Sequence, residues 1–381
     1  MKKTLLLLII LIINKSFSQN RLNGTVLNYE TKKPIEYADV YNNRNFTSTN
    51  SEGKFLFKSE SDSIKIRLIG YEPIFTTFNK IKNDTIFLKN KFEELGEITL
   101  NNKNPILKIY RSVVNNYPSE PYTETFFLRC QIRKNGRLLK IQDLNGFVNR
   151  KMLFGTSEKP MPKKNYKVEV LNVRKRGINE SIKFVMFNFK QIFEHIAGIG
   201  LNVQEFKFNK NRSKDKNFVK YSFFLKSENK PKIEGYYLTN KNDNAITEYK
   251  IKEILNDSYK KGRGFKYKTN YLEKSIFFKK NIKNGKYFIH KAKINTETEL
   301  INEGGIRNIY NETHLYLTLN QTNLKLKRKH SLKKDVFEFR KPYDPKFWKK
   351  QEYLLLTKEM EEFLTKIKDS NNEFKTTTNI R

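Results

Sequence analysis

Few residues in this chain have the types and spacing that chemistry needs. There are four histidines, His195, His290, His314 and His330, and one cysteine, Cys130. Zinc hydrolysis asks for two His, or His and Glu, one helical turn apart, with a further ligand and a general base. None of the four histidines has a partner at HExxH or HxxE spacing, and Glu194 and His195 are adjacent, which points the two side chains apart on a helix or a strand. Nucleophilic hydrolysis is no better served: there is no GxSxG, and Cys130 in "FFLRCQIR" has no cysteine-protease signature around it. "GIGLN" at Gly198 and "GRG" at Gly262 are too sparse to cradle a phosphate, and "NEGGIRN" around Gly304 and Gly305 reads as a turn. Carboxylates converging from distant strands would be a route to glycoside hydrolysis, but composition does not point to one. The expectation is a protein without catalytic residues, metal ligands or cofactor-binding residues, not an enzyme, and with no cofactor.

One constellation remains, aromatic residues interleaved with Lys and Arg. Tyr236, Tyr237, Tyr249, Phe277, Phe278, Tyr287 and Phe288 either stack on sugars or hold an acyl chain inside a curved sheet, or are ordinary sheet core. The charge leaves a similar choice. Lys and Arg number 75 against 40 Asp and Glu, a formal +35. Such a field attracts polyanions and is sensitive to salt. The lysines are spread along the chain, so the excess is either compositional drift or an anion-binding face.

The elements that must position these residues begin after an export signal. Lys2 and Lys3, the apolar run Thr4 to Ile13 and the polar "NKSFSQ" have the layout of a signal peptide over residues 1–18, cleaved between Ser18 and Gln19. The run is about half the length of a membrane span, and no later run is apolar enough to cross as a helix. No Cys follows it for a lipid anchor, and a single Cys forms no internal disulfide, so the core must hold the fold. Exported, the chain meets acidic glycans, lipopolysaccharide and anionic lipid rather than nucleic acid.

Residues 20–100 read as short strands and turns, spaced as in a β-sandwich. "IEYADVY" alternates, with Ile35, Tyr37 and Asp39 on one face and Glu36, Ala38 and Val40 on the other. "SIKIRLIGY" alternates Ile64, Ile66 and Leu68 against Ser63, Lys65 and Arg67. Gly24, Pro34, Ala38, Val40, Gly53, Phe55, Gly70 and Tyr71, with "IFL" at Ile86 and the closing "LGEITL", resemble the carboxypeptidase regulatory-like domain. The resemblance implies a prealbumin-like β-sandwich of the carbohydrate-binding-like folds, as found in Gram-negative envelope proteins and at the start of TonB-dependent receptors. It implies no peptidase activity.

"NPILKIYRSVVNNYP" reads as a connecting helix over 104–117, capped by Asn104, with Ile106, Ile109, Tyr110, Val113, Val114 and Tyr117 as its apolar stripe. Residues 121–370 read as an antiparallel β domain built from hairpins at Asn135-Gly136, Asn240 to Asn244 and Asn284-Gly285, with "HLYLTLNQTNLKLKRKHSL" as a fourth. "KQIFEHIAGIGL" interrupts as a short helix or apolar loop, and "TKEMEEFLTKIK" closes as a helix capped by Thr357. Residues 371–381 read as a disordered tail. "NNYP", "GYYLTNKNDNAI" and "YDPKFW" resemble envelope proteins in which a half-barrel-like domain with flanking helices follows the small sandwich. The fold expected is mainly β, and the function a secreted, non-catalytic binding or assembly module in the periplasm or at the outer membrane. Its partner would be an envelope protein or an anionic envelope polymer, glycan or lipopolysaccharide. The alternatives are an accessory of a TonB-dependent nutrient transporter and a hydrolase of envelope polymers using dispersed carboxylates.

Overall fold

The structure, a computed structural model, describes residues 19–68, 70–81, 84–90, 106–156, 158–180, 184–199, 206–212, 217–225, 232–255, 258–365 and 376–380. The signal segment, "LGEITL", Asn104 and Pro105, and residues 371–375 lie outside them. The chain is mainly β and divides into two units, residues 1–92 with 349–361 and residues 93–348 with 362–381.

In the first unit β1 (Asn20–Asn28) pairs antiparallel with β4 (Lys54–Ser59) and parallel with β7 (Thr85–Leu88). A second sheet runs β3 (Phe46–Ser48), β2 (Asp39–Tyr41), β5 (Ser63–Arg67), β6 (Ile74–Thr77). Period-two alternation on each strand turns one row inward, and both sheets contribute to one core: Val26, Phe55, Phe57 and Leu88 from the first, Val40, Ile64 and Ile66 from the second. Gly24 lies opposite Phe55, whose ring covers the space a Cβ would take. Gly53, at φ +73°, has the Val26 carbonyl 2.4 Å from where a Cβ would sit, so the turn excludes any side chain. Pro34 bridges Leu27, and the Tyr71 hydroxyl accepts from Asn28 at 3.4 Å.

Two expectations need correcting here. "IEYADVY" does not alternate throughout: Tyr37 has φ +60°, which breaks the strand, and Ile35, Ala38 and Val40 are all buried. Thr49 holds the break, its Oγ1 accepting from Ala38 N and donating to the Ile35 carbonyl. Nor does a second domain run unbroken from 121 to 370. Residues 349–361 pack with the first unit, where Ser48 N donates to the Tyr353 carbonyl at 3.0 Å, Asn50 to Leu356 at 3.0 Å, and Lys58 pairs with Glu352.

The second unit is dominated by a sheet that has twelve strands among the described residues. Its order is β11 (Phe206–Arg212), β12 (Phe218–Leu225), β13 (Lys232–Asn240), β14 (Ile246–Ile254), β16 (Phe265–Lys280), β17 (Tyr287–Asn302), β18 (Arg307–Thr322), β8 (Tyr122–Lys134), β9 (Arg137–Arg150), β10 (Tyr166–Ile178) and β19 (Thr376–Thr378), with β15 (Lys260–Gly262) beside β16. All these pairings are antiparallel. Asn135 (φ +48°) and Gly136 (φ +83°) make the two-residue turn from β8 to β9. At Asn284-Gly285 the connection is longer, closed by Asn281 N to the Lys286 carbonyl. The fourth hairpin is absent: "HLYLTLNQT" is the end of β18, held between β17 and β8, and the lysine-rich residues after it leave the sheet. The tail is also corrected where it is described, because Thr376–Thr378 pairs with β10.

Helix α1 (Ile106–Asn116) buries Ile109 and Val113, whereas Val114 is exposed, so the apolar stripe is narrower than read. Helix α2 (Phe189–Ala197) resolves the interrupting segment as a helix, started by a capping box between Asn188 and Gln191. It packs Phe189, Ile192, Phe193 and Ile196 into the sheet's core, each burial worth about 1.5–3 kcal/mol before entropy is counted. Helices α3 (Pro345–Lys350) and α4 (Lys358–Thr365) close the chain, α4 capped by Thr357 Oγ1 accepting from Met360 N.

Candidate functional site

Strand register places four polar residues in one row across β18, β8, β9 and β10: His314 faces Cys130, Cys130 faces Gln142, and Gln142 faces Lys175. His314 Nδ1 lies 3.1 Å from the Cys130 sulfur and its Nε2 lies 2.6 Å from Glu312 Oε1. Cysteine, histidine and carboxylate in sequence have the outline of a nucleophilic triad. The environment argues against that chemistry. All three are buried, and burial, followed by the Glu312, Asp143 and Asp335 carboxylates, pushes the thiol well above its ordinary value. With Glu312 accepting from Nε2–H, Nδ1 is left to accept the S–H, so the group is a satisfied polar cluster. Cys130 and His314 lie 184 positions apart in the chain, which local motif reading could not join.

The other end of the row holds down the residues that left the sheet. Gln142 Nε2 donates to the Val336 carbonyl at 2.5 Å, and Lys175 Nζ to those of Phe337 and Phe339 at 2.5 and 3.0 Å. Further along, Lys327 N donates to Glu169, His330 N to the Val168 carbonyl, and Val170 N to His330 Nδ1. Lys190 N donates to the Leu332 carbonyl, and Asp335 accepts from Met186 N and Phe337 N. Residues 325–341 are thus a strap whose backbone is pinned while its cations point outward. Lys325, Lys327, Arg328, Lys329, Lys333, Lys334 and Arg340 are exposed, and none forms an ion pair among the described residues.

Beside the strap lies a cavity of about 630 Å³ whose wall includes Lys140, Lys175, Lys334 and Arg340 together with Glu180, Asp335 and Glu338. Burial, and then the Arg340 and Lys334 charges, lowers Lys175 to about 8. Burial raises Asp335, against the two backbone N–H groups that favour its charged form. The arrangement can receive an acidic group on the exposed cations and offer mixed hydrogen bonding beneath it.

The aromatic constellation is core. Tyr237, Tyr249, Phe278, Tyr287 and Phe288 are buried, and Tyr236 and Phe277 are half-buried, so the set offers no stacking platform. His195 stacks on Phe187 and is lowered to about 4 by burial, then by Lys274 and His314. Among the described residues no three of His, Cys, Asp and Glu are grouped to hold a metal ion, and no helix is long and apolar enough to cross a membrane. The residues that sequence reading missed are the strap and its anchors. The signal available was the density of Lys and Arg in "KLKRKHSLKK", there absorbed into a hairpin.

No family model matches this chain, and no curated protein matches it. A solved structure described as "Lipid-protein interactions in lipovitellin" matches at 7% identity, covering 57% of this chain and 27% of that one, with a TM-score of 0.25. That likeness is too distant to carry an argument about fold or function.

Proposed function

We propose that this protein is an exported, non-catalytic binding module of a Gram-negative envelope, acting in the periplasm or at the outer membrane, that holds acidic groups of an envelope polymer on the strap of its second unit. The observation that carries this reading is the strap itself: pinned backbone, outward cations and no ion pair among the described residues to neutralise them. Drift toward lysine would scatter charge without anchoring it. The first unit is then a prealbumin-like sandwich of the carboxypeptidase regulatory-like kind, supported by two sheets sharing one core, by Gly24 against Phe55 and by Gly53 turning beside Pro34. The second is half-barrel-like, a reading supported by its twelve-strand antiparallel sheet among the described residues and by α2 packing into that sheet's core.

Titration of the full chain with an acidic polysaccharide, with lipopolysaccharide and with a neutral glycan, at low salt and at 0.15 M, tests the proposal. Screening shortens the field to about 8 Å at that ionic strength, so diffuse attraction fades while close contacts persist. The two acidic ligands should bind more weakly at 0.15 M yet measurably, and the neutral one not at all. Equal binding of the neutral glycan contradicts the proposal. Release of new chain ends from the polymer would replace it with the hydrolase alternative, served by Glu180 and Glu338.

A further inference from the structure

We propose a second site in the same unit, an apolar cavity of about 360 Å³ that takes the acyl chain of an anionic amphiphile. Val113 of α1 and Tyr117 just after it form one wall, the loop carrying Phe154 and Met161 another, and Ala197 and Ile246 close it. Its two polar side chains already have partners: the Tyr117 hydroxyl donates to the Ile246 carbonyl at 2.8 Å, and Thr156 Oγ1 accepts from Lys159 N at 3.1 Å. A wall of this kind offers nothing to orient a sugar or a nucleotide, whereas apolar cavities far smaller, about 150 Å³, stay dry and accept benzene. The volume lies within the roughly 300–1,000 Å³ of small-molecule sites.

The cavity is held open rather than left by loose packing. Tyr117 is fixed edge-on between Phe154 and Phe278, at 4.8 and 5.5 Å between ring centres. The loop is tied on three sides. Leu153 N donates to the Pro118 carbonyl, Lys159 Nζ to the Ser119 carbonyl, and Asn165 Nδ2 reaches both the Met152 carbonyl and the Met161 sulfur. Met161, 38% exposed, marks where the cavity meets solvent. Lys163 and Lys164, exposed and without an ion pair among the described residues, come two and three residues after it in the chain. A chain buried in the cavity would therefore carry its head group out beside two lysines, which selects a carboxylate or phosphate head.

This site shares no lining residue with the strap cavity, so each can fail alone. The test is calorimetric titration of the full chain with laurate below its micelle concentration, with dodecanol as the uncharged comparison. Laurate should bind at least about tenfold more tightly than dodecanol, a difference of about 1.4 kcal/mol. Val113→Phe, which places a ring in the empty space, should keep or raise the melting temperature and weaken laurate at least about tenfold. Should that variant not fold, Lys163→Ala/Lys164→Ala decides: loss of the tenfold preference for laurate over dodecanol supports the site. Sedimentation with anionic phospholipid vesicles separates the sources. Sedimentation lost in Val113→Phe assigns the chain to a membrane lipid, and laurate binding without sedimentation to a free fatty acid. No binding of either, or binding indifferent to both substitutions, overturns the proposal.

Discussion

Asp143 carries more of the second unit than any residue that motif reading singled out. It lies between Arg129 and Arg174 on the neighbouring strands, with contacts of 2.8 Å and 2.5 Å, and all three are buried. Burial alone would raise its carboxyl, but the two guanidinium groups outweigh that and hold it below its ordinary 3.8. A carboxyl held lower in the folded chain contributes stability above its ordinary value and loses it as pH falls through the folded one. Asp143→Asn should therefore cost about 3–5 kcal/mol at neutral pH, because the buried Arg129 and Arg174 both lose the carboxylate between them. Chemical denaturation should also show a shallower loss of stability below pH 4 than in the natural chain. The glycine turns, by contrast, were legible residue by residue. Gly70 has φ +87°, as its turn reading requires, and open space around the missing Cβ, so Gly70→Val should cost about 1–3 kcal/mol through backbone strain alone. A melting temperature unchanged by that substitution would refute the strain. Nothing comparable marked Asp143, since its partners are brought to it by register across three strands.

Elements were legible where the chain signals its own turn. Asn135-Gly136, the capped α2 and the Thr357 cap are each determined within a few residues, and these stand in the structure. Alternation past Thr322 was deceptive, because "NLKLKRKHSL" continues the period of a strand while its backbone partners lie elsewhere, on β10 and at the start of α2. Only the folded sheet provides Gln142 and Lys175 to receive the strap. Lys175 gives this element a pH signature. Its ammonium donates to two strap carbonyls and lies at about 8, well below ordinary lysines near 10.4. As pH rises from 7 to 9 it loses its charge. Affinity for an acidic polysaccharide should fall through that window, and Lys175→Met should bind less tightly at pH 7 and show no such step. A pH-independent affinity in the natural chain would mean that Lys175 takes no part.

For the whole molecule, strand alternation and turns pointed to β-rich architecture, while the charge left drift and an anion-binding face both open and could not say which of the 75 basic residues are arranged for binding. The return of residues 349–361 to the first unit was equally invisible, since it depends on the Ser48 backbone N–H and the Asn50 side-chain amide, which carry no sequence signature. The export reading predicts a mature chain beginning at Gln19 without an acyl increment, which intact-mass measurement on secreted protein checks. The central claim, that the strap is the polyanion site, is tested most directly by salt-dependent titration of the natural chain against Lys327→Ala/Arg328→Ala/Lys329→Ala. These side chains are exposed, and the neighbouring backbone bonds at Lys327 and His330 survive their removal. Counterion release from a dense polyanion makes log affinity fall linearly with log salt, by roughly 0.7–0.9 for each contact made. The account predicts that the variant's slope is shallower by about 2 and its affinity at low salt at least about tenfold weaker, with an unchanged melting temperature. Equal slopes and equal affinities would show that the strap's cations are not the ones that bind.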